Sequence, residues 1–236
     1  MTAKIIYVEG SDYSGKTTFI NNVKEKLEKQ GKKCKCFKEP SGAYRELLLS
    51  DKSKDISLIE RRILFCTNRI SVMGEIYKVK DEFDYIFVDR TSIVSDYVYT
   101  HIEQDNNELL YTTLFPTYCL CLDFAENIDE KIYDSFFMRN SSIIFLDIDK
   151  KTFMERMDKR EQVANDINDA KDIIFKENVF NKYKDFIEAL EFLEGSFFLR
   201  YSFKEYAVLH LNETGIPDDW RIEDVEFVQF EKDEDK

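Results

Sequence analysis

Four residues near the start of the chain have the types and spacing of a phosphate-binding loop. Gly10, Gly15, Lys16 and Thr17 fit the pattern G-x-x-x-x-G-K-[ST], between an apolar run and a helical pattern. In such a loop, backbone N–H groups surround a phosphate, the lysine contacts the terminal phosphates, and the hydroxyl binds Mg²⁺. The pattern therefore predicts a nucleoside triphosphate site, for which we expect ATP. The predicted ATP contacts are Gly10, Ser11, Asp12, Tyr13, Ser14, Gly15, Lys16, Thr17 and Thr18.

An acid inside this loop needs a separate explanation. Asp12 stands close to where the negative triphosphate would bind. It could accept a hydrogen bond from a sugar hydroxyl of a second, neighbouring substrate. A solvent-facing turn aspartate explains the spacing equally well.

A second acid, next to an arginine, directly follows an apolar run in "YIFVDRTS". Asp89 and Arg90 are expected at the carboxyl edge of a parallel sheet, where open α/β sheets bind ligands. Arg90 could bind an acceptor phosphate, and Asp89 could hold a Mg²⁺-bound water. Thr17 and Asp89 are thus the predicted metal residues. An ordinary strand-end ion pair is the alternative.

Two further groups of side chains fit a two-substrate site. In "LFCTNR", Phe65 and Arg69 share one helical face, so one could stack on a nucleobase while the other donates to its carbonyl edge. A core phenylalanine beside a surface arginine is the alternative. In "ERMDKREQ", Arg156 and Arg160 share a face and could cover the transferring phosphoryl group from a mobile segment. A solvated helix face explains them as well.

The elements that must position these residues alternate between strand and helix. Apolar runs predict five strands, at Lys4–Val8, Lys33–Lys38, Asp84–Val88, Ser142–Leu146 and Ala207–Leu211. Helices are predicted at Lys16–Gln30, ended by Gly31, and from a Ser57/Glu60 capping box to about Lys78. The inward positions predicted for the second helix are Leu58, Phe65, Ile70, Met73 and Tyr77. Because right-handed crossovers leave few other topologies, we expect a five-stranded parallel sheet with helices on both faces and a small helical lid. This is an α/β, three-layer, P-loop NTPase-type fold.

Several motifs together resemble one family. "EGSDYSGKTT", "KEPSG", "LFCTNR", "VDR" and "FLDIDKKTFMERMDKRE" occur in the order found in thymidylate kinases, from Ile5 to about Tyr183. The resemblance implies that Asp12 contacts the deoxyribose 3′-hydroxyl and that Arg45 and Arg90 bind the acceptor phosphate. By the same resemblance, Phe65 stacks on the base and Arg69 reads its carbonyl edge. It also implies acceptor contacts from Glu39, Pro40, Ser95 and Tyr99.

The resemblance implies an ATP- and Mg²⁺-dependent kinase that converts dTMP to dTDP, and a homodimer. The implied catalytic residues are Lys16, Asp89, Arg90, Arg156 and Arg160, the last two being lid arginines. A deoxynucleoside kinase of the same architecture is the alternative. There Glu39 would be the base that deprotonates a sugar 5′-hydroxyl, a step that a phosphate acceptor does not need.

Composition narrows the class of partner and the location. The chain has 236 residues and a net charge of −13, which disfavours binding to nucleic acid. We expect small-molecule nucleotides as ligands, and no membrane segment because no apolar run approaches the necessary length. Without a signal peptide, and with an odd number of cysteines, a cytoplasmic location is expected. Residues 1–212 are predicted to form one kinase domain, with its lid at about 154–168, and residues 213–236 a C-terminal extension with a solvated or disordered end.

Overall fold

A computed structural model gives the fold and describes residues 2–49, 56–91, 94–95, 98, 141–163, 173–192, 203–211 and 220–230. Six strands form one sheet in the spatial order β2, β3, β1, β4, β5, β6. The strands are β1 (Lys4–Glu9), β2 (Cys34–Lys38), β3 (Tyr85–Asp89), β4 (Ser142–Ile148), β5 (Glu205–Leu211) and β6 (Val228–Gln229). The helices are α1 (Lys16–Lys29), α2 (Gly42–Leu49), α3 (Leu58–Val79), α4 (Lys150–Val163) and α5 (Ile173–Phe192), with a 3₁₀ turn at Ile222–Asp224.

The first five strands are parallel, as predicted, but the sheet has a sixth strand that the sequence patterns did not reveal. Val228 pairs antiparallel with Tyr206 of β5, and the Phe230 N–H donates to the Lys204 carbonyl at 3.3 Å. Phe230 is buried in the core. The C-terminal extension, whose end was expected to be solvated, therefore packs against the sheet as far as Phe230. A strand of two residues is too short for period-two alternation to identify it.

The sheet is covered on both faces, which confirms the three-layer architecture. Successive β1 residues point to opposite faces, so Tyr7 joins one core cluster while Ile6 and Val8 join the other. The Tyr7 cluster includes residues from α3 and α5, and the Ile6 cluster includes α1 and Ile222. Burying one large apolar side chain contributes roughly 1.5–3 kcal/mol, so these two clusters hold the sheet and its helices together.

Two predicted helix boundaries are confirmed by their caps. Gly31 has φ 81° and follows α1, where its N–H donates to the Glu28 carbonyl at 3.0 Å. At the start of α3, the Ser57 hydroxyl accepts from the Glu60 N–H at 3.3 Å, and the Glu60 carboxylate accepts from the Ser57 N–H at 2.9 Å. This is the predicted capping box.

The inward face of α3 differs from the prediction. Met73 is buried as predicted, but Ile70, also expected inside, is 41% exposed. Val72 and Ile76, which were not predicted to face inward, are buried. Arg69 lies on the same buried face, at i, i+3, i+4 and i+7 with these three residues. The prediction considered only apolar residues for the inward face, and it was wrong for Ile70 because the charged Arg69 occupies a core-facing position. Leu58's side chain lies outside the description.

The elements after β2 and β4 carry residues predicted to contact the acceptor and to form the lid. Helix α2, which contains Arg45, was not predicted. Helix α4 begins after Asp149, whose carboxylate accepts from the Thr152 N–H at 2.6 Å. The predicted lid starts within α4, and residues 164–172 lie outside the described part. In the described ranges, none of the helices combines the length and apolarity needed to cross a lipid bilayer.

Candidate active site

The loop between β1 and α1 has a backbone that only particular residues can form. Gly10 has φ 145°, and a Cβ there would lie 2.6 Å from the Leu146 carbonyl oxygen and 2.8 Å from Ser14 Oγ. Gly15 has φ 92° and Tyr13 has φ 64°. Turns that mix left-handed and right-handed residues form the concave amide surfaces that bind anions. The loop, residues 10–15, thus has the backbone of a phosphate site.

Lys16 lies against this loop rather than in solvent. Its ammonium donates to the Gly10 carbonyl at 2.8 Å, the Ser11 carbonyl at 2.6 Å and Ser14 Oγ at 3.4 Å. Burial, followed by the nearby Arg90 charge, lowers the pKa of Lys16 to about 7. Since an ammonium has three donors, a phosphate that binds Lys16 must displace at least one loop acceptor.

Thr17 and Asp89 lie together and fit a magnesium site. Thr17 Oγ1 donates to Asp89 Oδ2 at 2.8 Å, and Lys38 Nζ lies 3.0 Å from the same oxygen. Burial opposes ionisation of Asp89, but the Lys38 and Thr17 contacts outweigh it and hold its pKa below the usual value. Asp89 Oδ1 is buried and makes no hydrogen bond within the described residues. A hydroxyl and a carboxylate with an available oxygen are ligands that Mg²⁺ prefers.

The acid of the loop and the arginine after β3 contact each other. Arg90 Nη2 donates to Asp12 Oδ1, and Arg90 Nη1 donates to the Tyr183 hydroxyl at 3.1 Å. Arg90 has φ 75°, an unusual conformation for a residue with a long side chain, and its N–H donates to the Val8 carbonyl at 3.0 Å. The sequence predicted both residues separately; the fold makes them one pair beside the phosphate loop.

Glu9 is a buried carboxylate that the sequence reasoning missed. It accepts from the Gly10 N–H at 3.1 Å, the Thr91 N–H at 2.5 Å and the Tyr183 hydroxyl at 3.2 Å. Burial raises its pKa, although Arg90 and the Thr91 N–H oppose that shift. Glu9 thereby joins the phosphate loop to the segment after β3. The available signal was a charged residue at the end of an otherwise apolar strand.

Arg69 is buried, which contradicts the reading of a surface arginine. Its Nη1 donates to Thr91 Oγ1 at 2.7 Å and lies 3.8 Å from Glu39 Oε2, and its guanidinium lies 5.6 Å from the centre of the Tyr7 ring. Arg69 Nη2 is buried and has no hydrogen-bond partner in the described parts of the chain. Phe65, one turn earlier, is half-buried. The pair therefore offers a ring and an available donor on one helix.

The "KEPSG" segment is fixed against β3 and α3. The Glu39 N–H donates to the Asp89 carbonyl at 3.0 Å, and the Glu39–Pro40 peptide is cis. Asn68 on α3 donates to Ser41 Oγ at 3.1 Å and accepts from the Ser41 N–H at 3.3 Å. This anchoring sets where α2 begins.

Among the other predicted acceptor residues, the structure places Arg45 half-buried on α2, where its N–H donates to the Ser41 carbonyl at 3.1 Å. Ser95 is buried, and its N–H donates to the Thr91 carbonyl at 3.1 Å. Tyr99 lies outside the described residues. Of the two described residues, Ser95 is therefore bonded to the segment that carries Arg90, and Arg45 to the segment that carries Ser41.

Helix α4 approaches the phosphate loop from the lid side. Arg156 Nη1 donates to the Tyr13 carbonyl at 3.2 Å and the Ser14 carbonyl at 3.1 Å. The rings of Tyr13 and Phe153 meet edge to face, 5.6 Å apart. Arg160 belongs to α4, but its side chain lies outside the description. Arg156 is thus already in place beside the loop that carries Lys16.

Comparisons with known proteins agree with this geometry. A family model described as thymidylate kinase matches residues 8–210. A probable thymidylate kinase of Methanosphaera stadtmanae is 30% identical over 132 residues, covering 52% of this chain and 68% of that protein. Thymidylate kinases of Mycoplasma capricolum and of a Thermoanaerobacter species are 34% and 35% identical over 97 and 105 residues. Those matches cover 37% and 42% of this chain, and 46% and 51%, about half, of the two relatives.

The family model covers most of the chain, from the end of β1 to the end of β5 at residue 210, and includes every described site residue from Gly10 to Arg156. The phosphate loop, the Asp12 and Arg90 pair and the buried Arg69 all lie within that match. The chain therefore belongs to the thymidylate kinase family, whose members are phosphotransferases.

Proposed function

We propose that this protein transfers the γ-phosphoryl group of ATP to the phosphate of dTMP, giving dTDP and ADP. The observation that carries the proposal is the contact between Asp12 of the phosphate loop and Arg90 after β3. This contact places two groups beside a triphosphate site. The Asp12 carboxylate can accept a hydrogen bond from a sugar hydroxyl, and the Arg90 guanidinium can bind a phosphate. Membership in the thymidylate kinase family supports the same reaction.

The proposed reaction depends on position and charge. An oxygen of the dTMP phosphate attacks the γ-phosphorus, the bond to the β-phosphate oxygen breaks, and ADP leaves. Lys16 and the N-terminus of α1 would hold the donor phosphates, and Arg90 the acceptor phosphate. Arg156, which now donates to loop carbonyls, would neutralise charge on the transferring group. The nucleophile is already anionic, so no catalytic base is needed.

Thr17 and Asp89 are the residues that would hold magnesium. Bound there, the ion would neutralise charge on the donor phosphates. The Thr17 contact and the buried Asp89 oxygen support this assignment.

The acceptor base would lie against α3. Phe65 would stack on the ring, and Arg69, with one buried donor available, would bond to a carbonyl oxygen. Asp12 would accept from the deoxyribose hydroxyl. Glu39 is fully buried and lies near Arg69, which supports a part in holding that arginine.

A panel of acceptors tests the proposal. Phosphate transfer from ATP is measured with dTMP, dUMP, other monophosphates and thymidine, with and without Mg²⁺. We expect dTMP to be used with the highest kcat/KM and Mg²⁺ to be required. Transfer to thymidine and not to dTMP would instead identify a deoxynucleoside kinase with Glu39 as its base.

We also propose that the protein is a cytoplasmic homodimer. On α3, Ile63 and Ile70 are 48% and 41% exposed on one outward face, with the exposed Thr67 between them. Such an apolar stripe on a helix suits an interface between two copies. Free thiols at Cys34 and Cys36 fit a reducing compartment. Sedimentation of the wild type and of Ile70→Lys tests the dimer, since the variant should be monomeric.

A further inference from the structure

Tyr183 is a buried side chain outside the phosphate loop that contacts both Glu9 and Arg90. Tyr183 lies on α5 and is 1% exposed. Its hydroxyl donates to Glu9 Oε2 at 3.2 Å and accepts from Arg90 Nη1 at 3.1 Å. These partners lie 174 and 93 residues away in the sequence. One phenol therefore connects α5 to the ends of β1 and β3.

The ring of Tyr183 cannot move easily. It belongs to the core cluster that also contains Val179, Phe186 and Tyr7. Side chains in such cores keep one rotamer because the surrounding atoms are packed at crystal density. The hydroxyl is therefore held at a fixed point within hydrogen-bond distance of Arg90 Nη1.

Arg90 has a geometry that needs such support. Its backbone is in the left-handed region, with φ 75°, and conformations of this kind persist only where the surroundings determine them. Its guanidinium is fixed at two ends, Nη2 by Asp12 and Nη1 by Tyr183. Asp12 is about half exposed, whereas Tyr183 is buried, so the rigid end of this arrangement is the phenol.

We propose that Tyr183 is a positioning residue for the acceptor phosphate, acting through Arg90 and Glu9. The inference rests on the proposed function, in which Arg90 binds that phosphate. Without the hydroxyl, Arg90 Nη1 loses a fixed acceptor and Glu9 loses one of its donors. The guanidinium then has more rotamers to lose when the acceptor binds, which weakens binding.

The test uses Tyr183→Phe, which removes the hydroxyl and keeps the ring in the core. The matched control is Tyr206→Phe, which removes a hydroxyl that donates to the Leu190 carbonyl of the same helix at 3.4 Å. Calorimetry and the ligand-induced rise in Tm give affinities for ATP and for the acceptor that the wild type uses, dTMP in our proposal. Both variants are measured where circular dichroism shows them folded.

We expect Tyr183→Phe to lose about tenfold in acceptor affinity, the usual cost of a hydrogen bond to a charged group, and less than about twofold in ATP affinity. Tyr206→Phe should match the wild type for both ligands. In an Arg90→Ala background, Tyr183→Phe should cost less than about twofold more in acceptor affinity, because the guanidinium that it holds is gone and only its bond to Glu9 is left.

Three results would overturn the inference: unchanged acceptor affinity in Tyr183→Phe, equal losses for ATP and acceptor, or a full additional loss in the Arg90→Ala background. A wild type that neither binds nor phosphorylates dTMP but uses another acceptor overturns the proposed function instead, and the variants are then compared with that acceptor.

Discussion

The phosphate loop and the cluster around Arg90 are built in different ways. In the loop, the ammonium of Lys16 bonds to carbonyls only five and six residues earlier in the chain. In the arginine cluster, defined as Glu9, Arg69, Arg90, Thr91 and Tyr183, side chains meet across 22 to 174 residues of sequence. The phosphate loop is thus a local backbone structure, and the arginine cluster is a product of tertiary packing.

In the proposed function, this difference explains how the two substrates are recognised. A triphosphate needs closely spaced amides and one lysine, which a short motif can supply. An acceptor needs groups from several elements at fixed distances, so a helix that never touches it can still matter. Damage to the loop should affect ATP first, whereas damage to the arginine cluster should affect the acceptor first.

The largest expected effect breaks the loop itself. In Gly10→Ala the new Cβ would lie 2.6 Å from the Leu146 carbonyl oxygen, so the loop must move. We expect the free energy of unfolding to fall by about 3 kcal/mol and the ATP-induced rise in Tm to disappear.

Gly31→Ala is the control, because Gly31 also has a positive φ of 81° but faces open space. It should lose only about 1 kcal/mol and keep the ATP response. Equal losses of stability in the two variants would mean that the positive φ, and not the short distance to the Leu146 carbonyl oxygen, explains the effect of Gly10→Ala.

The next largest effect is expected from removing Arg90, the cation proposed to bind the acceptor phosphate. Arg90→Ala should lower turnover by on the order of 10² or more, because a preorganised charge partner is removed, while ATP affinity stays within about twofold. Steady-state kinetics and an ATP titration measure both quantities. Arg221→Ala, at an exposed position, serves as the control. Near-normal turnover would sink the assignment of Arg90.

A smaller effect is expected where the two regions meet. Asp12 lies in the phosphate loop, but its side chain contacts Arg90 of the arginine cluster. Asp12→Ala should raise the acceptor KM by about tenfold, as loss of a hydrogen bond to a charged group does, and change ATP affinity less. If ATP binding suffered more than acceptor use, Asp12 would belong functionally to the loop.

The smallest expected effect is the uptake of a proton by Lys16 when ATP binds. Burial and then Arg90 lower the pKa of Lys16 to about 7, from 10.5, so at about pH 8 the free protein holds this amine mostly neutral. A bound triphosphate favours the charged ammonium. At a pH between about 7 and 10.5, the protein should therefore take up a proton when ATP binds, whereas at about pH 6 it should not.

Calorimetry in buffers of different ionisation enthalpy measures that uptake on ATP binding at about pH 8 and at about pH 6. Identical heats in all buffers would show that Lys16 is already charged in the free protein.

Much of the fold followed from local patterns. The positions of five strands, the Gly31 stop and the Ser57 capping box were predicted because apolar runs and cap residues act over a few neighbours. The sixth strand was not predicted, and on α3 the prediction was right for Met73 and wrong for Ile70. A two-residue strand has no measurable period, and Arg69 is buried only because Thr91 and Glu39 lie opposite it.

The sequence by itself determined the phosphate loop, since Gly10, Gly15 and Lys16 specify that backbone wherever a strand and a helix flank it. It also named Asp12, Asp89 and Arg90 as chemically capable residues. Only the tertiary structure decided that Asp12 meets Arg90 and that Tyr183 contacts both Arg90 and Glu9. The physical reason is that no local rule links side chains so far apart in sequence; parallel strands and the core packing of α5 bring them together.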